Sequence, residues 1–79
     1  MIYTWEEKDI VPGLVVRWKN GGFAVLSHRG LNPETFEFRW DLINLPSGYT
    51  HWQNMSKKFS TYILNNYRAI PAKWSDIDG

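Results

Sequence analysis

The groups that could do nucleophilic chemistry in this chain are two histidines, each beside a hydroxyl. Ser27 precedes His28, and Thr50 precedes His51. A hydroxyl nucleophile needs a histidine within hydrogen-bond reach and an acid that orients this histidine. Neighbours on a strand point to opposite faces, so Ser27 and His28 do not form such a pair, and His51 has no acid near it in sequence. We therefore expect both histidines to be surface or loop residues.

Acid–base and metal chemistry find no better support. The carboxylates Glu37 and Asp41 flank Arg39 on the polar face of a predicted strand, and pairing across strands explains all three. The two histidines show no H-x₃-H or H-E-x-x-H spacing, and the chain has no cysteine. Gly21-Gly22 lacks the spacing of a phosphate-binding loop before a helix. The sequence predicts no enzyme, no metal site and no cofactor.

Aromatic and basic residues favour binding instead. The chain has five Trp, four Tyr and four Phe in 79 residues, and Tyr, Trp and Arg dominate the energetics of protein interfaces. Three rings fall in a predicted polar loop over residues 46–54, and basic side chains lie on one face of a predicted hairpin. The predicted partner-binding residues are Tyr49, His51, Trp52, Arg17, Lys19 and His28.

Nucleic acid is the alternative partner. The basic hairpin, with Arg29 at its end, could bind phosphates, and Tyr49 or Trp52 could stack on a base. A net charge of +1 and a sequence pI of about 8.0 are below the basic character usual for such domains. Protein binding is therefore the first prediction and nucleic-acid binding the second.

The clearest regular element that would position these residues is Glu34–Leu45. Phe36, Phe38, Trp40 and Leu42 occur at every second position, which is the period of a strand with one buried face. The period ends after Leu42, which predicts either a bulge or the end of regular pairing there.

A hairpin is predicted before this strand, since Asn20-Gly21-Gly22 separates two β-rich runs. A two-residue loop would place Val16, Trp18, Phe23 and Val25 on the core face. A three-residue loop would break that assignment. Upstream of the hairpin, residues 2–5 are expected to form a short edge strand.

The chain after the polar loop favours a helix over residues 55–66, because apolar side chains recur with i, i+4, i+7 and i+8 spacing. A strand over residues 56–64 is the alternative. The core face of the hairpin, the apolar face of the Glu34–Leu45 strand and the apolar side of the helix together give the predicted core. Its members are Val16, Trp18, Phe23, Val25, Phe36, Phe38, Trp40, Leu42, Phe59 and Ile63.

The predicted fold is one α+β domain over residues 1–79, a small bent antiparallel sheet of three to five strands with one C-terminal helix. The run from Ile10 to Trp18, followed by Phe23–Leu26 and Gly30, resembles the opening of SH3-like and KOW-type small barrels. The resemblance covers residues 10–30. It implies an SH3-like barrel and transfers no functional residue.

These observations predict a non-catalytic protein-binding module: an adaptor, a small subunit or an inhibitor. An accessory role such as those found in viruses and mobile elements suits a chain of this kind. The absence of cysteine and of an apolar run of membrane-spanning length predicts a cytoplasmic protein with no membrane partner. Pairing of two copies through an exposed edge or aromatic patch fits the same features, so a homodimer stays open.

Overall fold

Five antiparallel strands form one sheet in the computed structural model of this chain, which describes residues 2–78. The strands are β1 (Val15–Arg17), β2 (Phe23–Leu31), β3 (Phe38–Leu45), β4 (Thr50–Met55) and β5 (Ile70–Ala72), and their order across the sheet is β4-β3-β2-β1-β5. A 3₁₀ turn spans Glu7–Asp9, and two helices, α1 (Lys57–Asn66) and α2 (Trp74–Asp78), complete the described elements.

The predicted antiparallel sheet with a helix is confirmed, but its closure into a barrel is not. Strands β4 and β5 are the two edges, and within residues 2–78 no pairing joins them. The predicted C-terminal helix corresponds to α1, and β5 and α2 follow it. No helix among these residues is long and apolar enough to cross a membrane.

The hairpin between β1 and β2 has a three-residue loop. The Trp18 amide donates to the Gly22 carbonyl at 2.7 Å, and the Gly21 amide donates to the Trp18 carbonyl at 2.9 Å. Gly21 has φ +97°, the left-handed conformation that closes this type of loop. Because of the extra loop residue, Val16 pairs with Ala24. A two-residue loop would instead pair Val16 with an odd-numbered residue of β2, such as Val25.

This register reverses the predicted face of β2. Ala24 and Leu26 share the buried face with Val16, and all three are fully buried. Phe23 and Val25, which were predicted in the core, are half-buried on the opposite face. The prediction was wrong because a shift of one residue moves every side chain of a strand to the other face.

Strand β3 begins at Phe38, later than predicted. Trp40 and Leu42 are buried as expected, but Phe36 is 77% exposed and Phe38 is also exposed. Phe36 follows the turn over residues 33–35 and has φ +59°, so it is not part of the strand at all. The alternation of apolar residues begins at Phe36, but the strand itself begins only at Phe38.

The predicted irregularity after Leu42 is confirmed in the pairing of β3 with β4, whose register shifts between Leu42 and Ile43. The pairing of β3 with β2 is regular at the same place. Ile43 and Leu45 continue in regular pairing with Val25 and Phe23 of β2. The bulges are in the partner strands: one in β2 between His28 and Gly30, and others in β4, where Asn54 has φ +60°. Ile43 and Leu45 break the alternation of the sequence because they belong to a second apolar face of the sheet, opposite the face of Trp40 and Leu42.

Helix α1 confirms the helical prediction and corrects its buried side. The Ser56 hydroxyl accepts a hydrogen bond from the Phe59 amide at 3.0 Å, which caps the helix. Ile63 is buried as predicted, together with Ser60 and Leu64, whereas Phe59 is exposed. The Ser60 hydroxyl donates to the Ser56 carbonyl at 2.8 Å. Ser60 can be buried because this bond satisfies its polar group.

The N-terminal segment is tied to the end of α1 and forms no edge strand. The Asn65 side chain accepts from the Trp5 amide at 2.6 Å and donates to the Trp5 carbonyl at 3.1 Å. The Trp5 indole donates to the Ala69 carbonyl at 2.7 Å. Trp5 thereby becomes a buried member of the core.

The core lies between one face of the sheet, which we call the covered face, and the layer formed by α1 and the N-terminal segment. It consists of Trp5, Ile10, Val16, Ala24, Leu26, Trp40, Leu42, Met55, Ile63, Leu64 and Ala69, with Trp18 and Trp52 packed against it. The opposite, or open, face carries half-buried apolar side chains around the buried Val15. These are Phe23, Val25, Ile43, Leu45, Ile70 and Ala72.

Candidate partner-binding surface

Six rings follow one another along one side of the molecule, and we call them the aromatic band. They come from the β1–β2 hairpin, from β4 and from α1 with its C-terminal turn. The centroid separations are 6.2 Å for Tyr67–Trp18, 6.4 Å for Trp18–His51, 5.9 Å for His51–Trp52, 5.5 Å for Trp52–Phe59 and 6.0 Å for Phe59–Tyr62.

The rings of the band differ in exposure. Trp18 and Trp52 are half-buried and pack against the core. His51, Phe59, Tyr62 and Tyr67 are exposed, and Tyr62 is 60% exposed. The band is therefore anchored by its two tryptophans and presents its other rings to solvent, which is an arrangement typical of interaction surfaces.

Packing holds Trp52 in place. The residue was predicted in a loop, but it belongs to β4 and pairs with Leu42 of β3. Its indole Nε1 is enclosed and has no hydrogen-bond acceptor within residues 2–78. Trp52 therefore supports the neighbouring rings of His51 and Phe59 as part of the fold.

An open cleft of about 670 Å³ lies at the hairpin end of the band. Its rings are those of Trp18, Phe23, His51 and Tyr67, and Lys19 and Arg68 supply two cations. No carboxylate is among the described residues that line it. The cleft therefore favours a flat or apolar group that carries negative charge.

Local backbone structure places two of these residues. Helix α1 ends at Asn66, and the Tyr67 amide still donates to the Ile63 carbonyl at 3.0 Å. Arg68 then adopts φ +55°, which turns the chain toward β5. On the sheet side, the Trp18 indole donates to the Asn44 side chain at 3.4 Å, a long hydrogen bond between two residues that line the cleft.

A second pair of cations lies at the other end of β4. Lys57 and Lys58 occupy the first turn of α1 and are exposed. A helix N-terminus disfavours positive charge, so these lysines do not stabilise the helix. Among residues 2–77, the salt bridges are Lys8–Glu6 at 3.1 Å and Arg29–Asp41 at 3.2 Å, and neither uses the lysines of α1.

The structure brings together four of the six predicted site residues. Lys19 and His51 line the cleft, and Trp52 is the next ring of the band. Tyr49 is exposed in the β3–β4 turn, and its carbonyl accepts from the amide of Asn44, a cleft residue.

The other two predicted residues do not line the cleft. Arg17 belongs to the open face, although its guanidinium lies 5.8 Å from the centroid of the Phe23 ring, which does line the cleft. His28 lies five residues along β2 from Phe23, far enough to separate it from the hairpin end of the strand. Its ring packs against Phe38 and Trp40, with centroids 4.1 Å and 5.6 Å away.

Sequence reasoning missed the contribution of α1 to this surface. Phe59 and Tyr62 were read as part of an apolar stripe, yet the stripe that is buried consists of Ser60, Ile63 and Leu64. The signal that could have distinguished them is the small Ser60, which allows close approach of the helix to the sheet. Tyr67 and Arg68 carried no signal, because only the tertiary fold brings them to Trp18.

The groups considered for other chemistry are separated in the fold. Ser27 lies opposite Asp41 and His28 lies opposite Trp40, on different faces of the sheet. Within the described part of the chain, no group of three His, Cys, Asp or Glu side chains is placed to hold a metal ion.

In comparisons with known proteins, no family model, no curated protein and no solved structure matches this chain.

Proposed function

We propose that this chain is a non-catalytic protein-binding module that holds its partner against the aromatic band. The observation that carries the proposal is the continuous series of rings from Tyr67 to Tyr62, anchored in the core and exposed at its outer members. The exposed side chains of Phe59, Tyr62 and Tyr67 present on the order of 300 Å² of largely apolar surface. A patch of this size can form the centre of a protein interface.

The chemistry of the band supports a protein partner. Tyr and Trp combine large rigid area with a polar tip and lose little conformational entropy on binding. Their fixed geometry here, with neighbouring rings mostly in edge-to-face contact, leaves little to order when a partner binds. An adaptor, a small subunit or an inhibitor needs only such a surface.

For the architecture, we propose an open relative of the SH3-like barrel. Strands β1 to β4 form a meander and β5 returns to pair with β1. The bulges near Arg29 and Asn54 support this proposal, since bulges increase the local twist that curves a sheet toward closure. An experimental structure in solution would test it through the separation of β4 from β5.

Nucleic-acid binding is the second candidate, and the cleft favours it. Trp18, His51 and Tyr67 offer faces or edges to a base, and Lys19 and Arg68 offer charge to a phosphate. Stacking of one base on an aromatic side chain contributes about 1–3 kcal/mol. This candidate ranks second because the cations are few and the net charge is +1.

The two candidates can be separated by affinity capture on the immobilised chain, with and without nuclease and at two salt concentrations. A protein that is retained after nuclease treatment and at moderate salt supports the module. Recovery of nucleic acid alone, lost steeply as salt increases, supports the second candidate. The retained protein is then purified and its affinity measured by calorimetry.

Two variants make the calorimetric test specific. Tyr62→Ala removes an exposed ring of the band and is expected to weaken binding about tenfold or more, typical of an interface aromatic. Trp74→Ala is the matched control, since Trp74 is 54% exposed but lies in α2, outside the band. Equal affinity of the two variants would contradict the proposed surface.

A further inference from the structure

The two edges of the sheet differ in their capacity to accept another strand. Strand β5 has three residues, and Pro71 at its centre has no amide hydrogen to donate. Strand β4 has six residues, without proline, lysine, arginine or a carboxylate. Within residues 2–78, no other strand pairs with the outer side of β4. Two register shifts in the pairing of β4 with β3 and the positive φ of Asn54 interrupt this edge, but the stretches between them can bind an extended segment through their free backbone groups.

Cations lie toward both ends of β4. Lys19 from the β1–β2 hairpin and Arg68 from the segment before β5 share with His51 the lining of the cleft near the start of β4. Lys57 and Lys58 follow its last residue, Met55. None of the four cations forms a salt bridge within residues 2–77.

This charge arrangement decides between a second copy and a different partner. Two copies paired antiparallel through β4 would bring the Lys19–Arg68 end of one copy against the Lys57–Lys58 end of the other. Like charges in such a contact repel and disfavour that pairing. A segment with acidic ends would instead place opposite charges at both ends of the strand.

We infer that β4 binds an extended acidic segment of the partner protein, which adds to the sheet as a sixth strand. Its carboxylates lie near Lys19 and Arg68 at one end and near Lys57 and Lys58 at the other. This inference rests on the proposed function and specifies its mode. A segment that covers β4 and reaches the cations at both ends has about six to eight residues.

The aromatic band gives the added strand side-chain contacts. His51 and Trp52 belong to β4 itself, and Phe59 lies beside Trp52, with ring centroids 5.5 Å apart. Alternate side chains of an added strand point to the same face, so one set lies over these rings. Backbone hydrogen bonds thus supply general affinity for a strand, while rings and cations select its sequence.

A set of synthetic probes tests charge and strand formation separately. The main probe is an end-capped eight-residue peptide with two Glu at each end and alternating Val and Thr between them. One control peptide has Lys in place of Glu, and another has Pro in place of both Thr. We expect fluorescence anisotropy to show binding of the main probe, with both controls about tenfold weaker or worse.

Hydrogen exchange tests directly whether the probe pairs with β4. When the main probe binds, outward amides of β4 should exchange about tenfold more slowly, while amides of β5 keep their rates. Protection at β5 instead of β4, or at neither strand, would overturn the inference.

A charge variant gives a readout in which stability and binding move in opposite directions. Lys57→Glu places an acid in the first turn of α1, so the melting temperature should rise. The same change should weaken binding of the acidic probe at least threefold. Lys73→Glu is the matched control, with an equal change of charge beside β5 at the other edge of the sheet, and should leave probe affinity unchanged.

The remaining outcomes separate this inference from the proposed function. Equal binding of the proline and main probes, or no binding of either while the captured protein still binds, would overturn strand addition and leave the module intact. A short thymidine oligonucleotide of equal charge that binds more tightly than the acidic probe would overturn both in favour of nucleic acid. Self-association that buries β4 in the free protein would identify a second copy as the occupant and overturn the acidic segment.

Discussion

The two faces of the sheet are built from the same strands and are both apolar, yet only one belongs to the core. On the covered face, Val16, Leu26 and Leu42 are fully buried under α1 and the N-terminal segment. On the open face, Val15 is buried but lies outside the core cluster, as do the half-buried Val25 and Ile43. The difference shows that the position of the covering helix, rather than the hydrophobicity of the strands, assigns the inside of this domain.

The strongest test of this comparison is Trp40→Ala on the covered face. Trp40 is 3% exposed, and its removal leaves a large cavity among core residues. We expect a loss of about 3–5 kcal/mol in the free energy of unfolding, measured by denaturant titration. A loss below about 1 kcal/mol would mean that the covered face is not the main core.

Neighbouring residues of β3 allow a matched comparison of the two faces. Leu42→Ala on the covered face should cost about 2–5 kcal/mol, whereas Ile43→Ala on the open face should cost about 1 kcal/mol. Both substitutions shorten an aliphatic side chain on the same strand, so strand propensity affects them similarly. Equal losses in urea titrations would show that something covers the open face as fully as α1 covers the other.

The architecture was largely predictable from local patterns, and the assignment of faces was not. The spacing of apolar residues predicted α1, and alternation predicted the centre of β3 around Trp40 and Leu42. The face of β2 depended on one loop residue beside Gly21, and both faces offered apolar side chains for either register. When both faces are apolar, alternation identifies a strand without identifying its inner side.

The candidate site was predictable only in part, for a related reason. His51 and Trp52 were identified by residue type, although their segment is a strand and not a loop. The cleft joins Trp18 to Tyr67 and Arg68, which are far apart in sequence and meet only because α1 packs on the covered face. Local patterns contain no information about such contacts.

The hairpin loop that sets the register provides the next test. Gly21 has φ +97° and open space where a Cβ would project, so Gly21→Ala introduces backbone strain alone. We expect a loss of about 1–2 kcal/mol in the free energy of unfolding. Gly22→Ala is the matched control, because no positive φ constrains Gly22 and its added Cβ would meet only side-chain atoms at 3.5 Å. A loss as large for Gly22→Ala would show that the loop conformation differs from the one that assigns Ala24 to the core.

The smallest expected effect concerns Phe36, which was predicted on the covered face and lies outside it. Its side chain is exposed and its φ is positive. This conformation strains a bulky residue, whereas asparagine adopts it more readily. Phe36→Asn should therefore raise the free energy of unfolding by about 0.5–1 kcal/mol. Phe38→Asn should lower it, because Phe38 of β3 pairs with Leu31 of β2 and packs on the His28 ring. Opposite signs in parallel thermal melts would place the start of the sheet between these two phenylalanines, whereas a loss for Phe36→Asn would mean that its ring packs against the domain after all.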